Sequence, residues 1–312
     1  MRLMTPLACV VLVTGTCFAQ APAPTTNPVP VMPVARVDEA KYSVEGNIAY
    51  GSHPFQTLDM IYPKDAGPGK SRKLPGVIMF HGGGWIQTNK ATMSSFYNRF
   101  LDHGFVVCNV EYRMAGKDRA GNYTTLSAPA PAAVEDALSS AKWFWEHAEH
   151  YNVDRSRIVV TGASAGGHLA LMVGLATADA KLGPTAPADF KLAAIINGYG
   201  SVDVAELAAK KEGATVQWIP ESLANRDALI KRVSPITYVR KDIPPLLTVI
   251  GSRDPNIRQN QKLIEMLKAA GADADIHVVE GAGHGFTTPP PAWPDAEKAM
   301  FDFLAAKGIV KN

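Results

Sequence analysis

The chain has 312 residues, 46% of them hydrophobic and 19% charged, with a formal net charge of +2. That length and apolar content suffice for one globular domain with a sizeable core. The near-neutral balance, with no basic cluster, argues against a partner held by charge, whether nucleic acid or an anionic membrane.

The N-terminus reads Met1-Arg2, an apolar stretch from Leu7 to Val13, and Cys17-Phe18-Ala19-Gln20-Ala21, with small residues at the spacing signal peptidase requires. A secretory signal over residues 1–19 is expected, cleaved after Ala19 or Ala21, which implies a secreted or periplasmic protein. Its apolar core is too short to span a bilayer of ~30 Å, so no stable membrane insertion is expected. Lipid attachment through Cys17 is disfavoured because Thr14-Gly15-Thr16 lacks the expected leucine. Cleavage would remove Cys9 and Cys17 and leave Cys108, which lies in an apolar run and reads as a packing thiol. Residues 20–40 carry Pro22, Pro24, Pro28, Pro30 and Pro33 and read as an extended, poorly ordered linker to a domain at 41–312.

Within that domain, Tyr42 to Tyr50 and Gln56 to Tyr62 alternate well enough to be antiparallel edge strands. Gly76 to Phe80, Phe105 to Val110, Ile158 to Val160, Ala193 to Ile196, Pro245 to Ile250 and Asp275 to Val279 read as further strands. Helices are expected at Ser94 to Asp102, Ala130 to Glu149, Ala165 to Ala176, Gln259 to Ala270 (ended by Gly271) and Pro294 to Ala306. The helix at 165–176 is apolar nearly all round, which suits burial between layers. Strands alternating with helices predict an α/β fold with a mostly parallel sheet covered on both faces, and chemistry at the strand C-terminal ends. The segment from Gly200 to Asp242, with Trp218, Ile219 and a helical stretch from Leu223 to Arg232, reads as a short cap insertion.

The candidate functional residues fall on the loops that follow strands. Gly162-Ala163-Ser164-Ala165-Gly166 joins a β-branched strand to the apolar helix, and glycines at 162 and 166 let strand and helix pass closely while the serine projects. A serine hydroxyl needs a base to take its proton and an acid to orient that base. Asp254, in Gly251-Ser252-Arg253-Asp254, and His284, in Gly283-His284-Gly285-Phe286, supply both in the order expected after a nucleophile elbow. His81-Gly82-Gly83-Gly84 offers backbone N–H groups for an oxyanion hole, assigned to Gly83, Gly84 and Ala165, with Gly82 as the nearest substitute. The elbow motif alone is weak, and the plain alternative makes Ser164 a helix cap, Asp254 a turn residue and His284 a loop histidine. Four such features at the ends of separate strands are far more specific.

Structural roles are expected elsewhere. His81 should brace its loop, Glu111, Tyr112 and Arg113 should pair locally as a structural ion pair, Asp136 should support Arg113 or be a solvated charge, His168 should be structural, and Trp143 and Trp145 should be core. Trp85 borders the glycine loop and is the candidate substrate-binding side chain of the acyl or alcohol pocket. Asn256 and the His147/His150 pair lack a third ligand at metal-binding spacing, so no metal and no cofactor is expected.

Taken together, His81-Gly82-Gly83-Gly84-Trp85, Glu111-Tyr112-Arg113, Gly162 to Ala170, Ser234-Pro235, Asp254 and Gly283-His284-Gly285-Phe286 resemble the α/β-hydrolase superfamily over residues 42 to 308. The likeness is to its hormone-sensitive-lipase-like and carbohydrate-esterase branches. It implies a mixed sheet of about eight strands and a serine esterase acting on short acyl groups. Ser164-Ala165-Gly166-Gly167-His168-Leu169-Ala170 and Trp85 are most similar to acetyl xylan and feruloyl esterases, which implies a small-molecule or polysaccharide ester as substrate. An amidase or arylformamidase-like enzyme, or a peptidase, could use the same three residues, and a non-catalytic binding protein of this fold is the remaining alternative. Oligomeric state is not specified by these motifs.

Overall fold

Eight strands form one sheet in the order β1-β2-β4-β3-β5-β6-β7-β8 in the computed structural model, which describes residues 32–117, 124, 127–176, 179, 182–184, 186–286 and 292–311. The strands are β1 (Tyr42–Ala49), β2 (Thr57–Pro63), β3 (Leu74–Phe80), β4 (Val106–Val110), β5 (Val153–Ala163), β6 (Ala194–Gly198), β7 (Leu246–Gly251) and β8 (Ala274–Val279). β1 and β2 pair antiparallel, as does β2 with β4, whereas every pairing from β4 to β8 is parallel. The parallel strands are continuous apolar runs because both faces are covered; all residues of β3, β4, β6 and β7 are buried.

The covering helices are α1 (Ser94–Asp102), α2 (Ala132–His147), α3 (Ala165–Ala176), α7 (Ile257–Ala269) and α8 (Ala292–Ala306). All twelve residues of α3 are buried, as its uniformly apolar sequence requires. The insertion between β6 and β7 folds as three short helices, α4 (Val204–Ala209), α5 (Ala214–Trp218) and α6 (Arg226–Arg232), so the helical stretch expected from Leu223 begins at Arg226. β5 is longer than expected, because Val153 pairs with Leu74 ahead of a register irregularity and extends the strand below the apolar run.

Residues 32–40, expected as the end of an extended linker, are instead packed on the domain. Residues from Met32 onward belong to the same compact unit as the sheet. Asn47 Nδ2–H donates to the Met32 carbonyl at 2.9 Å, and the Lys90 ammonium donates to Pro33 at 3.1 Å. Ala35 is buried, and its N–H donates to Asp59 Oδ2 at 2.8 Å. Lys90 and Asp59 are themselves wholly buried as an ion pair at 3.3 Å, so this strap supplies acceptors and donors that a buried charge pair requires. The expected signal and the rest of the linker lie outside the described residues. Among the described residues, no helix is long and apolar enough to cross a membrane.

Candidate active site

The site forms where β3, β5, β7 and β8 end. At the end of β5 the chain reverses through Ser164, whose φ of 57° lies in the left-handed region. Its N–H donates to the Gly198 carbonyl of β6 at 2.8 Å, and its own carbonyl accepts the His168 N–H at 3.0 Å, which fixes the turn from both sides. A Cβ at Gly162 would run into Gly166, and one at Gly166 into the Phe80 carbonyl, so the two glycines are there for close approach.

Ser164 Oγ–H donates to His284 Nε2 at 2.8 Å, and His284 Nδ1–H donates to Asp254 Oδ2 at 2.7 Å. Asp254 Oδ1 also accepts the Asn256 N–H at 2.8 Å. The carboxylate side chain is 0% exposed, whereas His284 is 39% exposed, so the imidazole faces solvent and the carboxylate does not. Three residues read from separate loops are thus one hydrogen-bonded chain. Its tautomer follows from its partners: a proton on Nδ1 for the carboxylate and a lone pair on Nε2 for the serine.

The glycine loop after β3 runs directly against this turn, with an imagined Gly82 Cβ 3.4 Å from Ser164 Cβ. The Gly82 carbonyl accepts from Thr88 Oγ1 at 2.7 Å and from His81 Nδ1 at 2.7 Å, and the Gly83 carbonyl accepts from Ile86 and Gln87. In a trans peptide the N–H points opposite to the carbonyl. Anchoring these two carbonyls therefore turns the N–H groups of Gly83 and Gly84 the other way. The Ala165 N–H is a free donor by position, in the first turn of α3. Gly83, with φ of 112°, has no room for a side chain beside Gln87 and Thr88.

His81 does brace the loop. Its Nε2–H donates to Glu111 Oε1 at 2.9 Å with both side chains wholly buried, and its ring stacks on Tyr112 at 4.2 Å. Tyr112 O–H donates to the His81 carbonyl at 2.8 Å, and Glu111 Oε2 accepts the Lys90 N–H at 3.0 Å. Arg113 does not pair with Glu111, which faces His81; it donates to both carboxylate oxygens of buried Asp136, at 2.7 and 3.0 Å, and to Glu135 at 3.1 Å. Cys108 is buried, and burial pushes its thiol well above the ordinary range, so it is a packing group. Trp145 is core, while Trp143 is half-buried and stacks on His147 at 4.0 Å.

Trp85 departs from expectation. It is 3% exposed, stacked on Trp218 at 4.1 Å, with its indole N–H donating to His168 Nδ1 at 3.1 Å, so it has no free face for a ligand. The reason is the insertion, whose α5 brings Trp218 down onto the loop.

Tyr199, Gln259 and Asn260 also meet at the site, though no motif in the sequence marks them. Tyr199, just after β6 with φ of 44°, lies edge-on to His284 at 5.0 Å and to Phe286 at 4.9 Å. Burial, and secondarily the charge of Asp254, raises its phenol above the ordinary range and keeps it protonated. The other two belong to an amide cluster from α7. Gln259 Oε1 accepts from Val202 and Asp203 at 2.7 and 2.9 Å, while Asn260 Oδ1 accepts from Asn197 Nδ2 at 2.8 Å. This ties the loops after β6 and β7 together. The signal for it is Asn256, Gln259 and Asn260 at i, i+3 and i+4, a polar stripe at the start of an otherwise amphipathic helix.

A cavity of about 780 Å3 lies at the opposite end of the sheet, beside Arg157, Ala193 and Pro245, and does not include Ser164 or His284. Among the described residues, no group of three His, Cys, Asp or Glu could hold a metal ion.

An eight-stranded, mostly parallel sheet with Ser164, Asp254 and His284 joined at its C-terminal ends defines the α/β-hydrolase fold. The family model BD-FAE matches residues 58–267, and the chain belongs to that family. It is 28% identical over 276 residues to Esterase LipC of Mycobacterium tuberculosis, covering 85% of this chain and 64% of that protein, just under two thirds of its length. Esterase LipI of the same organism is 25% identical over 280 residues, 83% of each chain. Among solved structures, a truncated carbohydrate esterase from gut microbiota superposes with a TM-score of 0.71 at 25% identity, over 88% of this chain and 99% of that one.

Proposed function

We propose that the protein is a serine carboxylesterase that removes short acyl groups from alcohols through an acyl-enzyme on Ser164. The observation that carries this is the continuous chain from Ser164 Oγ through His284 to buried Asp254, at 2.8 and 2.7 Å. As Ser164 Oγ attacks the ester carbonyl, its proton passes to His284 Nε2. Asp254 holds Nδ1–H and stabilises the imidazolium that results. The carbonyl oxygen becomes an oxyanion facing the N–H groups of Gly83, Gly84 and Ala165, each donor contributing ~2.7–4 kcal/mol in well-aligned cases. Collapse expels the alcohol, which takes the proton from Nε2. Water then enters by the same base and releases the acid, restoring Ser164.

The finer reading is an acetyl or feruloyl group on plant polysaccharide. It is supported by the short helices of the insertion, which leave the exposed His284 accessible to a bulky alcohol, and by the likeness to a carbohydrate esterase. Export from the cytosol is part of the proposal and rests on the leader read in the sequence. The test is a hydrolysis panel of acetylated xylan, methyl ferulate, short- and long-chain nitrophenyl esters and matched amides. Preference for short esters, with acetylated xylan or methyl ferulate turned over, is expected. Amide turnover comparable to the matched ester would replace the reading with an amidase, and preference for long chains would remove the polysaccharide reading.

A further inference from the structure

We propose that Trp85, His168 and Trp218 form a positioning unit that sets the oxyanion loop against Ser164, and that its functional element is the hydrogen bond from the Trp85 indole to His168. The proposal rests on the esterase reading of Ser164 and of the glycine loop.

Three successive loop residues, Gly83, Gly84 and Trp85, have φ of 112°, 63° and 62°. Two are glycines, for which this conformation is easy; Trp85 carries a bulky side chain, for which it is not. A bulky residue stays there only when its surroundings over-determine it. Those surroundings come from three other parts of the chain. The Trp85 N–H donates to His168 Nδ1 at 3.1 Å, and His168 lies one turn beyond Ser164 on α3. The Trp85 ring stacks on Trp218 of α5 at 4.1 Å and 12°. His168 stands edge-on to both rings, at 5.0 and 5.4 Å, and its Nε2–H donates to the Val233 carbonyl after α6 at 2.7 Å. The Trp85 carbonyl in turn accepts the Ala115 N–H at 2.8 Å.

An apolar ring at position 168 would fill the same volume. An imidazole there accepts on one side and donates on the other, and its burial is tolerable only because both nitrogens are partnered. That arrangement fixes the distance between the loop bearing the Gly83 and Gly84 N–H groups and the helix bearing Ser164 and the Ala165 N–H. A small change in this distance weakens contacts made to the oxyanion more than contacts made to bound ester. It therefore acts on kcat rather than KM.

The test is steady-state hydrolysis of a short-chain nitrophenyl ester by the full chain and by Trp85→Phe, His168→Gln, His168→Asn and the Trp85→Phe/His168→Gln double variant, each checked for folding by circular dichroism and Tm. His168→Asn retains an acceptor near the Trp85 indole, whereas His168→Gln retains only the reach to Val233. Trp85→Phe and His168→Gln are expected to lower kcat by about 10-fold or more with KM changed by less than about 2-fold. The double variant should be no worse than His168→Gln alone, and His168→Asn should recover most of kcat at a similarly lowered Tm. A folded Trp85→Phe with unchanged kcat overturns the proposal, and so do equal losses in the Asn and Gln variants or additive losses in the double variant. If neither His168 variant folds, Trp85→Phe decides alone. A folded wild-type chain without ester turnover would instead refute the esterase reading.

Discussion

Two of the histidines that face carboxylates do so at almost the same distance, His284 with Asp254 at 2.7 Å and His81 with Glu111 at 2.9 Å, yet they lie in opposite surroundings. His81 and Glu111 are wholly buried, with Nε2 against Glu111 at 2.9 Å and Nδ1 between the Gly82 carbonyl and Thr88 Oγ1 at 2.7 and 3.1 Å. Both ring nitrogens are thus engaged inside the core. His284 is 39% exposed and keeps Nε2 as an acceptor for Ser164. A histidine–carboxylate pair is thus a brace or a base according to what its second nitrogen meets and whether solvent reaches it.

The comparison is sharpest in a pair of isosteric substitutions. Asp254→Asn removes the acceptor that fixes the His284 tautomer, and kcat on a short ester is expected to fall by about 10^4-fold with little change in stability. Glu111→Gln replaces, inside the core, one of the two acceptor oxygens that meet His81 Nε2 and the Lys90 N–H. Its expected effect is a loss of about 3 kcal/mol or more in urea unfolding, with the surviving folded enzyme retaining far more turnover than Asp254→Asn. A Glu111→Gln enzyme as inactive as Asp254→Asn, with unchanged stability, would break the distinction between brace and base.

A smaller effect separates His168 from both. Burial lowers its pKa from the ordinary 6.5 to about 4, so it is neutral in the fold. Between these values the unfolded chain holds the extra proton and the folded one does not, so stability falls as pH is lowered through that window. Over the whole window the shift amounts to roughly 3 kcal/mol. Urea unfolding at several pH values between 7 and 4 should show this slope in the wild type, and His168→Gln should lack up to one proton of it. Identical slopes would mean that His168 is not held neutral.

These environments were unevenly legible in the sequence. Ser164, Asp254 and His284 could be read because each sits in a short glycine-bearing loop after an apolar strand, and such loops are local signals. The parallel strands were equally plain, since burial on both faces makes them continuous apolar runs. The place of Trp85 is not legible locally, because it depends on Trp218, 133 positions away, whose packing no local pattern announces. The strap at Met32 to Arg36 was hidden for a similar reason: its prolines resemble a linker, while its anchors, Asp59 and Lys90, look like ordinary surface charges until they are seen to be buried together. Tyr199 and the amides of α7 act through loop-to-loop geometry, which spacing suggests only after the fold is known.

Active-site labelling asks whether Ser164 is the activated nucleophile. The full chain would be treated with a fluorophosphonate, digested and mapped by mass spectrometry, with Ser164→Ala, His284→Ala and unfolded protein in parallel. One stoichiometric adduct is expected on the Ser164 peptide of the folded wild type, greatly slowed by His284→Ala and absent from Ser164→Ala and from unfolded protein. An adduct on another residue, or an unmodified Ser164 in folded protein that still hydrolyses esters, would contradict the role of Ser164 as nucleophile.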